Sequence, residues 1–271
     1  MLKMRHYPSN QAEDAQGECG AATVTAPLDR AVRFSHLRAY GRSAAHGLHS
    51  RTSEWKPTKP MLLGTAVHAL AFATKKVIAY DGIRRGKQWD AFKVEHEDAH
   101  ILSMAEDYKA RKMADALLKN EHAVMALEGV TEKTISFQWM GRECRSTPDV
   151  RGTAHMADLK TCANADPSHF IWHSARMAYH AQMRMQQMAC GQDIDSPAYI
   201  VAVESTEPYP VTVFRLNEDA LMAGEKMLCL WMERLKACED AKEWPGYAQS
   251  IVDLGIPGDV ELDFGDEQGD E

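Results

Sequence analysis

Pro148-Asp149-Val150-Arg151-Gly152-Thr153-Ala154-His155-Met156-Ala157-Asp158-Leu159-Lys160-Thr161 is the stretch on which the reading of the chain turns. Arg151-Gly152 is a turn signal between two extended segments, so the stretch reads as a strand ending, a turn, and a strand from Ala154 to Lys160. That arrangement sets Asp149 and Asp158 on adjacent strands, where cross-strand Cβ atoms approach to about 5 Å. Neighbouring carboxylates repel, and the simplest reason to gather them is a hard divalent cation. Lys160 beside such a cation is not another ligand. Its ammonium can meet a phosphate, or position or deprotonate a water. Mg²⁺ takes one or two protein carboxylates together with water and phosphate oxygens, so the constellation implies metal-assisted phosphodiester chemistry. An isolated Asp-x-Lys triplet is ordinarily an exposed strand face or a surface ion pair. Its surroundings decide.

Upstream, Ile135, Phe137 and Trp139 alternate with polar neighbours, Gly141-Arg142 turns, and Glu143 to Val150 returns, giving a β-meander into the Asp158 strand. Glu132 stands at its start, where a plain strand-end acid is the simpler account. Ser103-Met104-Ala105-Glu106 is a capping box opening a helix that breaks near Asn120-Glu121, with a second piece ending at Gly129. Leu62 to Thr74 reads as a buried helix of small residues with His68 in its centre. A lone histidine there is more often a core residue than a ligand. Asp81 to Asp98 is polar and turn-rich. His96 and His100 have the i, i+4 spacing of zinc helices but no third ligand, and read as surface residues. A short helix follows Ser35, and Gly41 to Lys59 reads as a basic loop.

Downstream, Asp166-Pro167 starts a long helix running to Gly191. Tyr179 and Gln182 share one face of it, within a methionine stripe that belongs to the core. Ala198 to Val203 is an apolar strand, Pro208-Tyr209-Pro210 a turn, Val211 to Leu216 its partner, and Asn217 the cap of a last long helix.

The 271-residue chain is ordinary for a globular protein, with 45% hydrophobic and 26% charged residues. Its longest apolar run is too short to span a bilayer, and Met1 to Asn10 lack the apolar core of a secretory signal. Six scattered cysteines without a C-x-x-C pair fit thiols in a reducing cytoplasm. The net charge of −8 includes seven acids and no Lys or Arg from Pro257 to Glu271, so the remainder is close to neutral and local basic patches could still meet DNA. The expected organisation is a loose arm over residues 1–28, one domain over 29–256 and an acidic tail over 257–271.

The motifs Gly64-Thr65-Ala66-Val67-His68, Glu132, Cys144-Arg145-Ser146-Thr147-Pro148-Asp149, Asp158-Leu159-Lys160-Thr161 and Tyr179-His180-Ala181-Gln182 occur in an order that resembles the RecE-type exonucleases (exonuclease VIII) and their phage relatives, of the PD-(D/E)xK nuclease superfamily. The resemblance extends from about Arg33 to Leu216. It implies a restriction-endonuclease-like α/β/α sandwich around a mixed β-sheet. It implies that His68, Asp149, Asp158 and the Leu159 carbonyl bind Mg²⁺ or Mn²⁺, with Glu132 an associated acid, and that Lys160 orients or activates the attacking water. Tyr179, Gln182 and Thr161 would support the site and the DNA strand. Thr147 replaces an arginine frequent in relatives, and Gln186 stands where relatives often carry a second tyrosine. The activity implied is 5′→3′ hydrolysis of linear double-stranded DNA from its ends by a homo-oligomeric ring in the cytoplasm of a bacterium or phage-infected cell. It would supply 3′ single strands for recombination by a RecT-like annealing partner. A repair or restriction-type endonuclease of the same fold and a non-catalytic DNA-end-binding scaffold are the alternatives.

Overall fold

The computed structural model describes residues 31–54, 56–248 and 250–254. The expected arm over residues 1–28, with Cys19, and the acidic tail lie outside the described residues.

Helices α1 (Phe34–Arg42) and α2 (Ala44–Thr52) come first. The second occupies the expected loop between Gly41 and Lys59. Ser43 caps it by accepting from the His46 amide, and Arg51 is buried in an ion pair with Glu239. Tertiary anchoring overrides a composition that reads as a loop. Helix α3 (Lys59–Phe72) has proline in its first turn and buries Ala66, Val67 and Ala69. Strand β1 (Lys76–Tyr80), helix α4 (Lys87–Glu95) and strand β2 (Ala99–Ser103) follow, the strands paired in parallel. The polar segment 81–98 therefore contains a helix. His96 follows that helix and His100 lies in β2, so their spacing is not that of two ligands on one helix face.

The capping box at Ser103 opens α5 (Met104–Lys119), with Ser103 and Glu106 bonded reciprocally. Asn120 caps α6 (Glu121–Ala126). Strands β3 (Val130–Thr131), β4 (Ile135–Trp139), β5 (Arg142–Ser146), β6 (Val150–Arg151) and β7 (Met156–Cys162) come next. The return strand expected from Glu143 to Val150 is thus two strands in two sheets. β5 pairs with β4 as a separate hairpin, and β6 pairs with β3 and β7. Pro148 lies at the break, where it has no amide proton for a ladder. The long helix expected from Asp166 to Gly191 is also two pieces, α7 (Pro167–Met177) and α8 (Tyr179–Cys190), separated by Ala178 in the left-handed region at φ 56°. Strands β8 (Ala198–Glu204) and β9 (Val211–Leu216) and helix α9 (Glu218–Ala241), capped by Asn217, complete the fold.

The main sheet has the order β3-β6-β7-β8-β9, with β7 and β8 parallel and the other neighbours antiparallel. β7 and β8 are central and buried on both faces, which accounts for the apolar run of β8. Strand alternation sends Leu159, Val201 and Val203 into a core with α3 and α5. It sends Met156, Ile200 and Ala202 into a second core with Phe170, Met183 and Leu221. Helices cover both faces, and the result is an α/β/α sandwich on a mixed sheet. A third cluster joins α1, α8 and α9 to the β4–β5 hairpin. Asp158 and Lys160, in phase with Met156, lie on the face covered by α8. The five cysteines among the described residues are free thiols, and no helix among those residues is long and apolar enough to cross a membrane.

Candidate active site

Val150 pairs with Ala157 in the antiparallel β6–β7 ladder, so one step further Asp149 stands opposite Asp158. The Leu159 amide donates to Asp149 Oδ2 at 2.8 Å, which fixes that carboxylate to the β7 backbone. Asp158 is 1% exposed. Its Oδ1 accepts from Gln182 Nε2 at 3.1 Å and from Gln186 Nε2 at 3.0 Å. Its Oδ2 lies in an ion pair with Lys160 Nζ but receives no aligned hydrogen bond. Lys160 Nζ donates in turn to Gln182 Oε1 at 3.2 Å and sits 4.8 Å from the centroid of the Tyr179 ring. One amide, Gln182, therefore ties the carboxylate and the ammonium together, and the ring beneath the ammonium adds a cation–π contact.

His68 reaches the same point from the opposite layer. A Cβ on Gly64 would stand 3.1 Å from Thr161 Oγ1, so glycine there lets α3 lie close to β7. One helical turn further on, His68 Nε2 is 2.9 Å from the Leu159 carbonyl oxygen. A carbonyl only accepts, so Nε2 carries the proton. The lone pair of Nδ1 then faces Asp149 Oδ1 at 3.7 Å. Burial pushes the His68 pKa down, which keeps the ring neutral, so this contact is not an ion pair.

Burial first, and the neighbouring Asp158 second, hold the Asp149 carboxyl well above the usual carboxylate range. Burial works against the charge on Lys160, but the carboxylates of Asp158 and Asp149 outweigh it and raise its pKa. Lys160 is accordingly a fixed ammonium. Burial also raises the Tyr179 phenol, which stays protonated.

The structure thus brings together His68, Asp149, Asp158, Leu159, Lys160, Tyr179 and Gln182. Thr161 lines the approach to Gly64. Glu132 is exposed at φ 48°, and its amide donates to the Asp149 carbonyl at 3.2 Å. Its carboxylate acts on His68 and Asp149 through space, without a direct bond. Gln186, from the sequence only a departure from the tyrosine of relatives, is 2% exposed and is the second amide donor to Asp158. Its i, i+4 spacing from Gln182 is the signal that could have placed it on the same face.

Among the described residues, no three His, Cys, Asp or Glu side chains converge as a ready-made metal cage. The chemistry of the cleft nonetheless fits a cation. An imidazole lone pair opposes a carboxylate oxygen, and a second carboxylate adjoins the first. Both are relieved by positive charge, and a neutral imidazole among oxygen donors suits a divalent cation.

A search of curated proteins found no match. Among solved structures, the chain is similar to a presumed exonuclease from Eubacterium rectale, with a TM-score of 0.61 at 13% identity over 91% of this chain and 97% of that one. The two share a fold. An alkaline exonuclease from Laribacter hongkongensis gives a TM-score of 0.32 at 13% identity over 65% of this chain and 89% of that one, too low to carry an argument. Residues 33–252 match the family model described as a PDDEXK-like domain of unknown function (DUF3799), and the chain, with its restriction-endonuclease-like fold, belongs to that family.

Proposed function

We propose that the chain is a divalent-metal-dependent exodeoxyribonuclease that hydrolyses linear double-stranded DNA from its ends, 5′→3′, leaving 3′ single strands for recombination. The observation that carries the reading is the Asp149–Asp158–Lys160 cluster, held by Gln182 and facing His68 across the Leu159 backbone. His68, Asp149, Asp158 and the Leu159 carbonyl would hold Mg²⁺, or Mn²⁺ in its place, with Glu132 at the flank. When bound, the ion supplies Lewis acidity toward the phosphate and acidifies a water.

The chain's own groups then have separable tasks. Lys160, held as an ammonium, has no lone pair for a proton, so it orients the water and offsets charge growing on the phosphate. Gln182 keeps that ammonium in register with Asp158. Tyr179 supports it from below, and Thr161 holds the α3 approach. Hydrolysis forms a bond from the water oxygen to phosphorus and breaks the bond from phosphorus to the leaving sugar oxygen. One product carries a phosphate monoester and the other a hydroxyl. We further assign the active form to a closed homo-oligomer in the cytoplasm, working with a single-strand annealing partner.

The test uses linear and covalently closed duplexes, the linear ones labelled separately at the 5′ and 3′ ends, with Mg²⁺ or with EDTA. Release of the 5′ label from linear DNA in Mg²⁺ alone is the expected result. Cutting of closed circles would transfer the reading to an endonuclease, and binding without cleavage to a scaffold. A monomer in light scattering would overturn the ring. Lys160→Ala should lose roughly 10²- to 10⁴-fold in rate while still binding Mn²⁺ in calorimetry. Asp158→Ala should lose both.

A further inference from the structure

The outer face of α7 carries a second cluster that the hydrolytic site does not use. Trp172 is 78% exposed there, and Ile171 beside it is 64% exposed. A single exposed aromatic is common and by itself means nothing. What surrounds this one is more specific. Cys162, Asn164, His169, Trp172, His173 and Arg176, with Ala163, line a cavity of about 250 Å³. Cys162 lies two residues beyond Lys160 on β7, so one wall of the cavity is the continuation of the candidate catalytic strand. His173 Nε2 is 3.4 Å from the Tyr179 hydroxyl, and the Tyr179 ring is the one beneath the Lys160 ammonium. The cavity and the Asp158–Lys160 pair are therefore joined by one side-chain relay.

Charge points the same way. Arg176 and Arg38 both act on His173, and Arg38 also lies within 3.3 Å of Met177 Sδ. Among the described residues neither arginine is in an ion pair with an acid. Two carboxylates lie nearby and both are engaged: Asp166 accepts from Ser168 and lies 3.7 Å from His169, and Glu204, paired with Cys162 across the sheet, accepts from the Ala165 amide at 2.7 Å. Arg176 beside an exposed indole in one cavity, with Arg38 near the end of the helix, matches a nucleotide: phosphate for the cations, base for the ring.

We propose that this face of α7 cradles an unpaired nucleotide adjoining the scissile phosphate, its base stacked on Trp172 and its backbone phosphate on Arg176. The proposal rests on the nuclease reading above and adds to it the form of DNA held. In a duplex only the terminal pair leaves a base face open, whereas every base of a single strand can offer one, so an indole platform favours unpaired bases. Arg38 of α1, against Met177, brings a second cation to the end of α7, and His173 transmits the position of the bound strand to Tyr179.

The experiment measures binding of the full chain to a single-stranded oligonucleotide and to a blunt duplex, by anisotropy, with Ca²⁺ in place of Mg²⁺. Trp172→Ala should weaken single-strand binding roughly tenfold, the scale of one base–aromatic stack, and change blunt-duplex binding less than about twofold. Trp172→Phe should recover most of the loss, and Arg176→Ala should reduce the slope of log K against log salt by about one contact. Unfolding temperatures of the exposed-site variants should match the parent. Wild-type binding of single strands by Trp172→Ala, or an equal loss on both DNA forms, would overturn the cradle. A changed oligomeric state in Trp172→Ala would do so as well, making the face a contact between copies. Failure of the parent chain to cleave in Mg²⁺ would instead defeat the nuclease reading, while the binding comparison would still be read.

Discussion

Asp149 shows at the scale of one residue how a site of this kind costs stability. Its carboxyl is held well above the usual range, chiefly by burial and then by Asp158. The unfolded chain releases that proton near pH 3.9, whereas the folded chain keeps it to higher pH. Between the two values the folded state binds more protons, so Asp149's contribution to stability is full below the unfolded pKa and falls as pH rises through the folded one. Asn at this position keeps an acceptor for the Leu159 amide and has no charge to desolvate. Asp149→Asn should therefore raise the unfolding temperature of the metal-free protein in EDTA. The gain should be absent near pH 4 and grow toward pH 8. Calorimetry across that range checks it, and a gain independent of pH would show that ionisation of Asp149 is not the cause. The same variant should forfeit any stabilisation by Mn²⁺, so the residue trades stability for metal affinity. Asp158 shows a different solution, with two amides on one oxygen and an ammonium on the other. The Asp158 and Lys160 positions were legible from the strand period alone. Gln186 was not, because a glutamine on a methionine-rich helix carries no mark of what it faces until β7 is packed beneath it.

Two glycines set the helix spacings on which those contacts depend, and they predict opposite behaviour. At Gly224 of α9, an added Cβ would stand 2.7 Å from the His180 carbonyl oxygen and 2.8 Å from Ala181 Cα, both backbone atoms of α8. Gly224→Ala must part the two helices and should cost about 1–3 kcal/mol by overpacking. Gly64→Ala meets only the Thr161 hydroxyl at 3.1 Å, a mild crowding that a shift of α3 by a few tenths of an ångström relieves. The helix propensity of alanine, worth up to about 1 kcal/mol over glycine, offsets that. Gly64→Ala should hold or raise the unfolding temperature yet lower DNA cleavage, because α3 moves and takes His68 from Leu159. If Gly64→Ala cleaves at the parental rate, the close approach of α3 is structural only. Element types along the chain were mostly readable, including the capping box at Ser103, the cap at Asn217 and the paired strands at Ala198 and Val211. Helix α2 is set by distant partners and the bend at Ala178 by one backbone dihedral, and local composition encodes neither, whereas the β5–β6 break falls at Pro148, a signal the sequence did carry.

At the scale of the molecule, charge is distributed in two parts that oppose each other toward DNA. The net charge is −8, and seven of the acids lie between Pro257 and Glu271 without a single Lys or Arg. The cations that face a strand under the present proposals, Lys160, Arg38 and Arg176, are few, so an added field of like sign to the phosphates weighs heavily on affinity. That field needs no bound pose, only proximity, and it decays over about 8 Å at physiological ionic strength and about 3 Å at 1 M. Removing residues 257–271 should therefore tighten duplex binding at low salt, and the gain should shrink steadily as salt rises. The cleavage rate at saturating DNA should not change, because no group of the hydrolytic cluster is lost. Titrations of the full and truncated chains at two ionic strengths distinguish this from a docking role. A gain equal at both salts, or none at either, would show that the tail does not act on DNA through its charge. A fall in the saturated rate would place the tail in the cleavage step itself.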